Sequence, residues 1–256
     1  MRGIEAILDE ARGRGVGLCH LAAILATVYH ETGGSMQPVE ENLNYSAERL
    51  TQVWPARFPT LASAEPFAGN PRKLANRVYG GRLGNVAADD GWRFRGRGLA
   101  QITGKANYAK FGLAAAPEQA SEMATAVRIL FDGMTEGFFT GKRLADFDTD
   151  ESLSGAAIGY RYAASRAIVN ADVRQIGPKI EAYGRAFEAA LREAGYCRTG
   201  QPKAASAEPG VVVALRPGKS GPAEKGEGDS DAARSIGSTF ERLVAAVIAV
   251  FARWAK

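Results

Sequence analysis

The chain has 256 residues, 46% hydrophobic and 23% charged, which excludes a disordered polymer and calls for a packed core. Its net charge of +4, with no basic stripe, argues against nucleic acid as a partner, although it suits contact with an anionic polymer such as a cell wall. Two cysteines (Cys19 and Cys197) and two histidines (His20 and His30) argue against a disulfide framework and a metal cage, so neither metal nor cofactor is expected.

Arg2 is followed by Glu5, Asp9 and Glu10 with no apolar stretch of signal-peptide type, so the protein is expected to start in a cytoplasm. Ile4, Ile7, Leu8 and Ala11 recur at i, i+3, i+4 and i+7, a short amphipathic helix stopped by residues 13–17. Residues 18–31 form a second helix, with Cys19 a buried thiol and Leu21, Ile24, Leu25 and Val28 inward. It ends at Gly33-Gly34. Residues 45–58 are expected to be helical up to a break at Trp54-Pro55. Residues 66–98, rich in Gly, Asn and Arg, read as a loop lobe with a small hairpin. Residues 119–139 are helical with Met123, Val127, Leu130, Met134 and Phe138 inward, and 153–162 and 179–193 are two more helices. Strand signals are sparse, so the fold is mainly α.

Composition changes after Cys197. Residues 199–235 are dominated by Gly, Pro, Ser, Ala, Lys and Glu and read as a flexible linker, with an apolar island at 211–215. Residues 236–256 form a C-terminal helix whose apolar run, 243–252, is flanked by Arg242 and Arg253. That run is too short to span a bilayer and leaves interfacial membrane contact, docking on the domain or self-association. The expected organisation is therefore a catalytic domain over 1–198, a linker over 199–235 and a helix over 236–256.

Glu31 closes an apolar helix and opens the run His30-Glu31-Thr32-Gly33-Gly34. The helix dipole and partial burial both favour its neutral acid form there. Glu40 and Glu41 follow across the Gly-Gly turn. Two carboxylates on different elements, one protonated and one ionised, are what glycoside hydrolysis requires. A second cluster runs from Trp92 to Gly104 and on to Asn107-Tyr108. Its glycines let the backbone approach a ligand, and its Gln, Thr and Asn side chains offer neutral hydrogen bonds to sugars. The Gly96-x-Gly98 pair follows no apolar strand and lacks the third glycine of a dinucleotide loop.

HETGG (30–34), PVEENLNYSA (38–47), WPARF (54–58), ANRVYGGRLGN (75–85) and DGWRFRGRGLAQITGKANYAKFG (90–112), in that order, resemble glycoside hydrolase family 19, and more narrowly its phage and prophage endolysin branch. The resemblance covers about residues 18–195. It implies a mainly α, lysozyme-like fold of two lobes around a sugar-binding cleft. It implies Glu31 as general acid, Glu40 as general base with Glu41 as the alternative, and Thr103 as the hydroxyl that places the nucleophilic water. Gln101 and Asn107 match sugar-contacting positions, and Asn44, Tyr45, Tyr79 and Arg97 are further cleft candidates. The family's later Asn-Gly-Gly stretch reads Val169-Asn170-Ala171-Asp172 here.

The function this implies is an endolysin, a muramidase that cuts the β-1,4 bond from N-acetylmuramic acid to N-acetylglucosamine by inversion. Its expected partner is the peptidoglycan glycan strand, with envelope contact through residues 236–256. The protein is expected to be a monomer, held in the host cytoplasm until release to the wall. A chitinase of the same chemistry and a non-catalytic glycan-binding envelope protein are the alternatives.

Overall fold

A computed structural model of the chain describes residues 2–150, 159–196 and 241–250. Helix α1 (Arg2–Gly13) buries Ile4, Ile7, Leu8 and Ala11, the stripe its sequence prescribes. Helix α2 (Leu18–Glu31) is apolar on nearly every side: Cys19 and every residue from Leu21 to Val28 are buried. Such a helix has to be wrapped rather than laid on a surface.

The chain then leaves this core. Strand β1 (Val39–Glu40) leads to helix α3 (Ala47–Val53), capped by Ser46, whose side chain accepts from the Arg49 amide at 3.2 Å. Helices α4 (Leu61–Ala64) and α5 (Pro71–Tyr79) follow, and with α3 they enclose a small core of Leu43, Leu50, Phe58, Leu74 and Val78. Helix α6 (Asp90–Arg93) packs on α5 and leads into strand β2 (Arg97–Gly98). Helix α7 (Lys105–Lys110) contributes Tyr108 to a third cluster with Phe94, Ile102, Phe111 and Ile129.

Helix α8 (Met123–Glu136) returns to the main core, followed by the short α9 (Tyr162–Ser165) and the long α10 (Val173–Glu193). The wrapping of α2 comes chiefly from α10, with α8 also against it. Tyr29 of α2 meets the Tyr183 and Phe187 rings of α10 edge-on, with centroids 4.8 and 6.0 Å away. α9 lies against α10 at a glycine: a Cβ on Gly184 would stand 2.3 Å from the buried Tyr162 ring. Residues 241–250 are helical and place Leu243, Val247 and Val250 in the same main core. Their Ala246 and Ala249 face Ala186 and Ala190 of α10 across a crevice. Among the described residues, no helix is long and apolar enough to cross a membrane.

The fold is mainly α, as the patterning implies, with four corrections. The stretch 66–98 is not a loop lobe: it holds α5 and α6. Asn70-Pro71 is a helix start, Asn70 accepting from the Lys73 amide at 3.1 Å and Pro71 filling the first turn. The only pairing of strands described joins residues 39–40 to 97–98, not two arms within 66–98. Phe138 does not point inward. α8 stops at Gly137, which adopts a left-handed φ of 77°, and Phe138 lies beyond it, 39% exposed. α10 begins at Val173, six residues before the expected start, and carries Pro178 within it. The expected helix at 153–162 lies largely outside the described residues, as do Cys197, the linker 199–235 and its 211–215 island. Of its described residues, 159–161 are not helical.

Candidate active site

Glu31 is the last residue of α2, half-buried where the helix ends. The turn after it is fixed by Thr32, whose hydroxyl donates to the Val28 carbonyl at 2.7 Å and accepts from the Met36 amide at 3.0 Å. Gly33 and Gly34 take φ of 57° and 83°, values that suit glycine, and reverse the chain toward β1.

Glu31 has a partner that sequence reading does not supply. Arg166, 4% exposed, donates from Nη1 to Glu31 Oε1, and from Nε and Nη2 to the two oxygens of Asp172 at 2.6 and 3.1 Å. One guanidinium therefore bridges two carboxylates, a geometry that arginine's planar fork permits and lysine's point charge does not. Arg166 holds the Asp172 carboxyl below its ordinary range. His30, next to Glu31, has its pKa lowered by burial, which keeps the ring neutral near pH 7. The environment expected for Glu31, a helix dipole and partial burial, thus left out the guanidinium that touches it.

Glu40 sits on β1 opposite Arg97 of β2, its register partner. Its carboxylate, 43% exposed, accepts from Arg95 Nη2 and from Arg97 Nε, the latter at 3.4 Å. Glu41 turns to different company: the Tyr79 hydroxyl donates to Oε1 at 2.6 Å, and the Gly96 amide to Oε2 at 3.1 Å. Burial, then that carboxylate, push the Tyr79 hydroxyl far up, so it stays a donor. Neighbouring residues on extended chain point to opposite sides, which separates the two glutamates.

The 97–103 stretch folds back on itself, Arg97 and Ile102 exchanging backbone hydrogen bonds at 3.2 and 3.0 Å. Gln101, at a left-handed φ of 49°, uses its side-chain amide to donate to Val39 O at 2.5 Å and Gly98 O at 3.1 Å. Its NH2 is thus occupied in locking β1 to this turn. Asn107 donates to Thr103 O at 2.8 Å, and Thr103 Oγ1 makes only a long contact of 3.4 Å to Gln101 O.

Gln101, Thr103 and Asn107 share one cavity of about 180 Å³, with Leu83, Phe138 and Val169 among its apolar walls. Val169 stands three residues from Arg166, so one wall of the cavity belongs to the segment that holds Glu31. That wall is pinned by Thr140, whose hydroxyl contacts Ala167 O and Ile168 O at 2.6 and 2.9 Å. Arg97 is 5% exposed and tied to Arg93 O and the Tyr108 hydroxyl. Tyr45 packs edge-on against Trp54 with centroids 5.5 Å apart, and Asn44 is exposed. Tyr45 and Asn44 are not among the residues lining this cavity. Arg166, Asp172 and Arg95 are the additions to the expected set. Each is an ordinary charged residue in sequence: Arg166 and Arg95 are marked out by contacts 135 and 55 positions away, and Asp172 by its bond to Arg166. Among the described residues, no group of three or more His, Cys, Asp or Glu side chains is placed to hold a metal ion.

No family model matches the chain. A stretch of 92 residues, 35% of the chain, is 48% identical to a Haemophilus influenzae protein described as a glycosyl hydrolase family 19 domain-containing protein. The match spans 46% of that relative, about half its length. The motif order, the mainly α fold and this identity together support a likeness, at the level of the family, to glycoside hydrolase family 19.

Proposed function

We propose that the protein hydrolyses β-1,4 glycosidic bonds of bacterial peptidoglycan, between N-acetylmuramic acid and N-acetylglucosamine, in the manner of an endolysin. The observation that carries the reading is the joining of the Thr103 cavity, through Val169 and Arg166, to Glu31 at the end of α2. Glu31 gives its proton to the glycosidic oxygen, which departs with the bonding pair. Glu40 removes a proton from a water as that water's oxygen bonds to the anomeric carbon from the opposite face. The configuration inverts and no covalent intermediate forms. Thr103, whose hydroxyl makes no short bond among the described residues, orients the water. General acid and general base each contribute about 10²–10⁴-fold. Arg166 fixes the Glu31 carboxyl in place.

The partner is the glycan strand. The helix at 241–250 adds envelope contact: its apolar residues, of which Leu243, Val247 and Val250 pack into the main core, would lie on a lipid surface once the helix leaves the domain. The protein acts after release from a host cytoplasm. A chitinase is the second reading, favoured by the neutral hydrogen-bonding set Gln101, Thr103 and Asn107, which would suit a polymer of N-acetylglucosamine equally.

Mass spectrometry of soluble fragments from purified sacculi, with wild type and Glu31→Gln in parallel, tests this. Fragments ending in reducing N-acetylmuramic acid, absent with the variant, are expected. Equal release by both proteins would remove Glu31 from the mechanism. Activity confined to chitin oligomers would promote the second reading.

A further inference from the structure

Glu40 is held by two guanidiniums from one short stretch of chain, and the two are not held alike. Arg97 also donates Nη1 to Arg93 O at 2.9 Å and to the Tyr108 hydroxyl at 3.2 Å, so the fold fixes it with or without Glu40. Arg95 sits over the Trp92 ring, its guanidinium carbon 3.6 Å from the centroid, and donates Nη1 to Trp92 O at 2.8 Å. Its Nε is buried and has no hydrogen-bond partner among the described residues. Burial and the neighbouring Arg97 lower the Arg95 pKa to about 10.

A buried arginine with an unmet donor and a like charge beside it costs folding energy, which a purely structural role leaves unexplained. Glu40 makes the arrangement favourable by standing between two cations that would otherwise repel. Each of its oxygens accepts one guanidinium proton and keeps a free lone pair, and its exposure leaves room for a water there. The other charged or titratable groups close by are engaged elsewhere: Glu41 by Tyr79 and Gly96, Tyr108 by Arg95 O at 2.7 Å, and Arg93 by Ala115 O at 2.9 Å.

The geometry points to Arg95 as a positioning residue that, seated on Trp92, orients Glu40 and holds it as the carboxylate that accepts the water's proton. This rests on Glu40 being the general base. Lysine at 95 keeps the charge and loses the fork; glutamine loses the charge.

Carbon-13 NMR titration of labelled glutamates in the full chain tests it, in wild type, Arg95→Gln and Arg95→Lys. In Arg95→Gln the Glu40 midpoint is expected to rise by about one pH unit, roughly a tenfold change in the protonated-to-ionised ratio, with most of the shift restored by lysine. The acid limb of kcat/KM on sacculi should move with it, at nearly constant KM. An unmoved Glu40 midpoint in folded Arg95→Gln overturns the inference. So does a uniform fall in rate with an unmoved limb, the signature of a structural role. If Arg95→Gln does not fold, Trp92→Leu removes the seat and keeps the charge, and the same upward direction is required of it. Full activity in Glu40→Gln would instead refute the general-base reading, while the titration still reports whether Arg95 holds Glu40.

Discussion

Arg166 and Glu31 stand 135 positions apart in the chain and in direct contact in the fold. Arg166 is almost wholly buried, and its charge is balanced by Glu31 on one side and Asp172 on the other. Removing one partner of a buried, hydrogen-bonded charge set strands the others. Because the two carboxylates left behind are partly exposed, Arg166→Gln is expected to lose about 1–3 kcal/mol of stability, read as a lower midpoint in urea, and to lose most activity on sacculi. Arg166→Lys should recover part of the stability and little of the activity, because it cannot bridge both carboxylates in a planar fork.

Asp172 makes that bridge dependent on pH. Arg166 lowers its folded-state pKa from the ordinary 3.8. The stability it contributes is fully present above that ordinary value. It is lost as pH falls through the lower folded-state value, where the carboxyl takes up a proton. Thermal melting from pH 6 down to pH 2 should show wild type losing stability on the acid side, and Asp172→Asn should show less of that loss. Parallel curves for the two proteins would rule this out.

At the α9–α10 contact, Gly184 has no room for a methyl group against the Tyr162 ring. Tyr162 is fully buried and donates its hydroxyl to Glu188 at 2.9 Å, so the ring cannot swing away without breaking a buried bond. Gly184→Ala is expected to cost about 1–3 kcal/mol despite the better helix propensity of alanine. A neutral or positive shift in melting temperature would show that the two helices can separate freely.

The helix at 241–250 contributes Leu243, Val247 and Val250 to the main core. Val247→Asp puts a charge in that interface and should undock the helix. Hydrogen exchange over 241–250 should then become fast while α8 stays protected. The stability lost is limited to about 1.5–3 kcal/mol per aliphatic side chain uncovered. Unchanged exchange would mean that the helix is not held by its apolar face.

Much of this could be read in the chain. α1 and α2 follow from apolar spacing, and Glu31 was conspicuous because an apolar helix ends on a carboxylate and two glycines. α5 was obscured because its buried face is only Leu74, Ala75 and Val78 among charged residues, although Asn70-Pro71 announced its start. Phe138 was misplaced because periodicity carries no stop signal of its own, and Gly137 ends the helix one residue earlier. The early start of α10 was hidden by Pro178, which reads as a boundary but is tolerated inside the helix. Arg166 and Arg95 were out of reach for another reason. An arginine's partner is fixed by tertiary contact, and neither spacing nor composition encodes it. Arg97 illustrates the converse: a residue proposed for the cleft has its guanidinium committed largely to its own fold.

The embrace of α2 by α10 bears on how the protein comes into being. More than half of the chain is synthesised after α2 is complete and before α10 begins. During that interval an all-round apolar helix waits without its main partner, the kind of long-range closure that slows folding and exposes a nascent chain to aggregation. Arg166 and Asp172 emerge at the end of the same interval. A chain that ends before residue 166 thus carries Glu31 without the guanidinium that it meets in the complete fold.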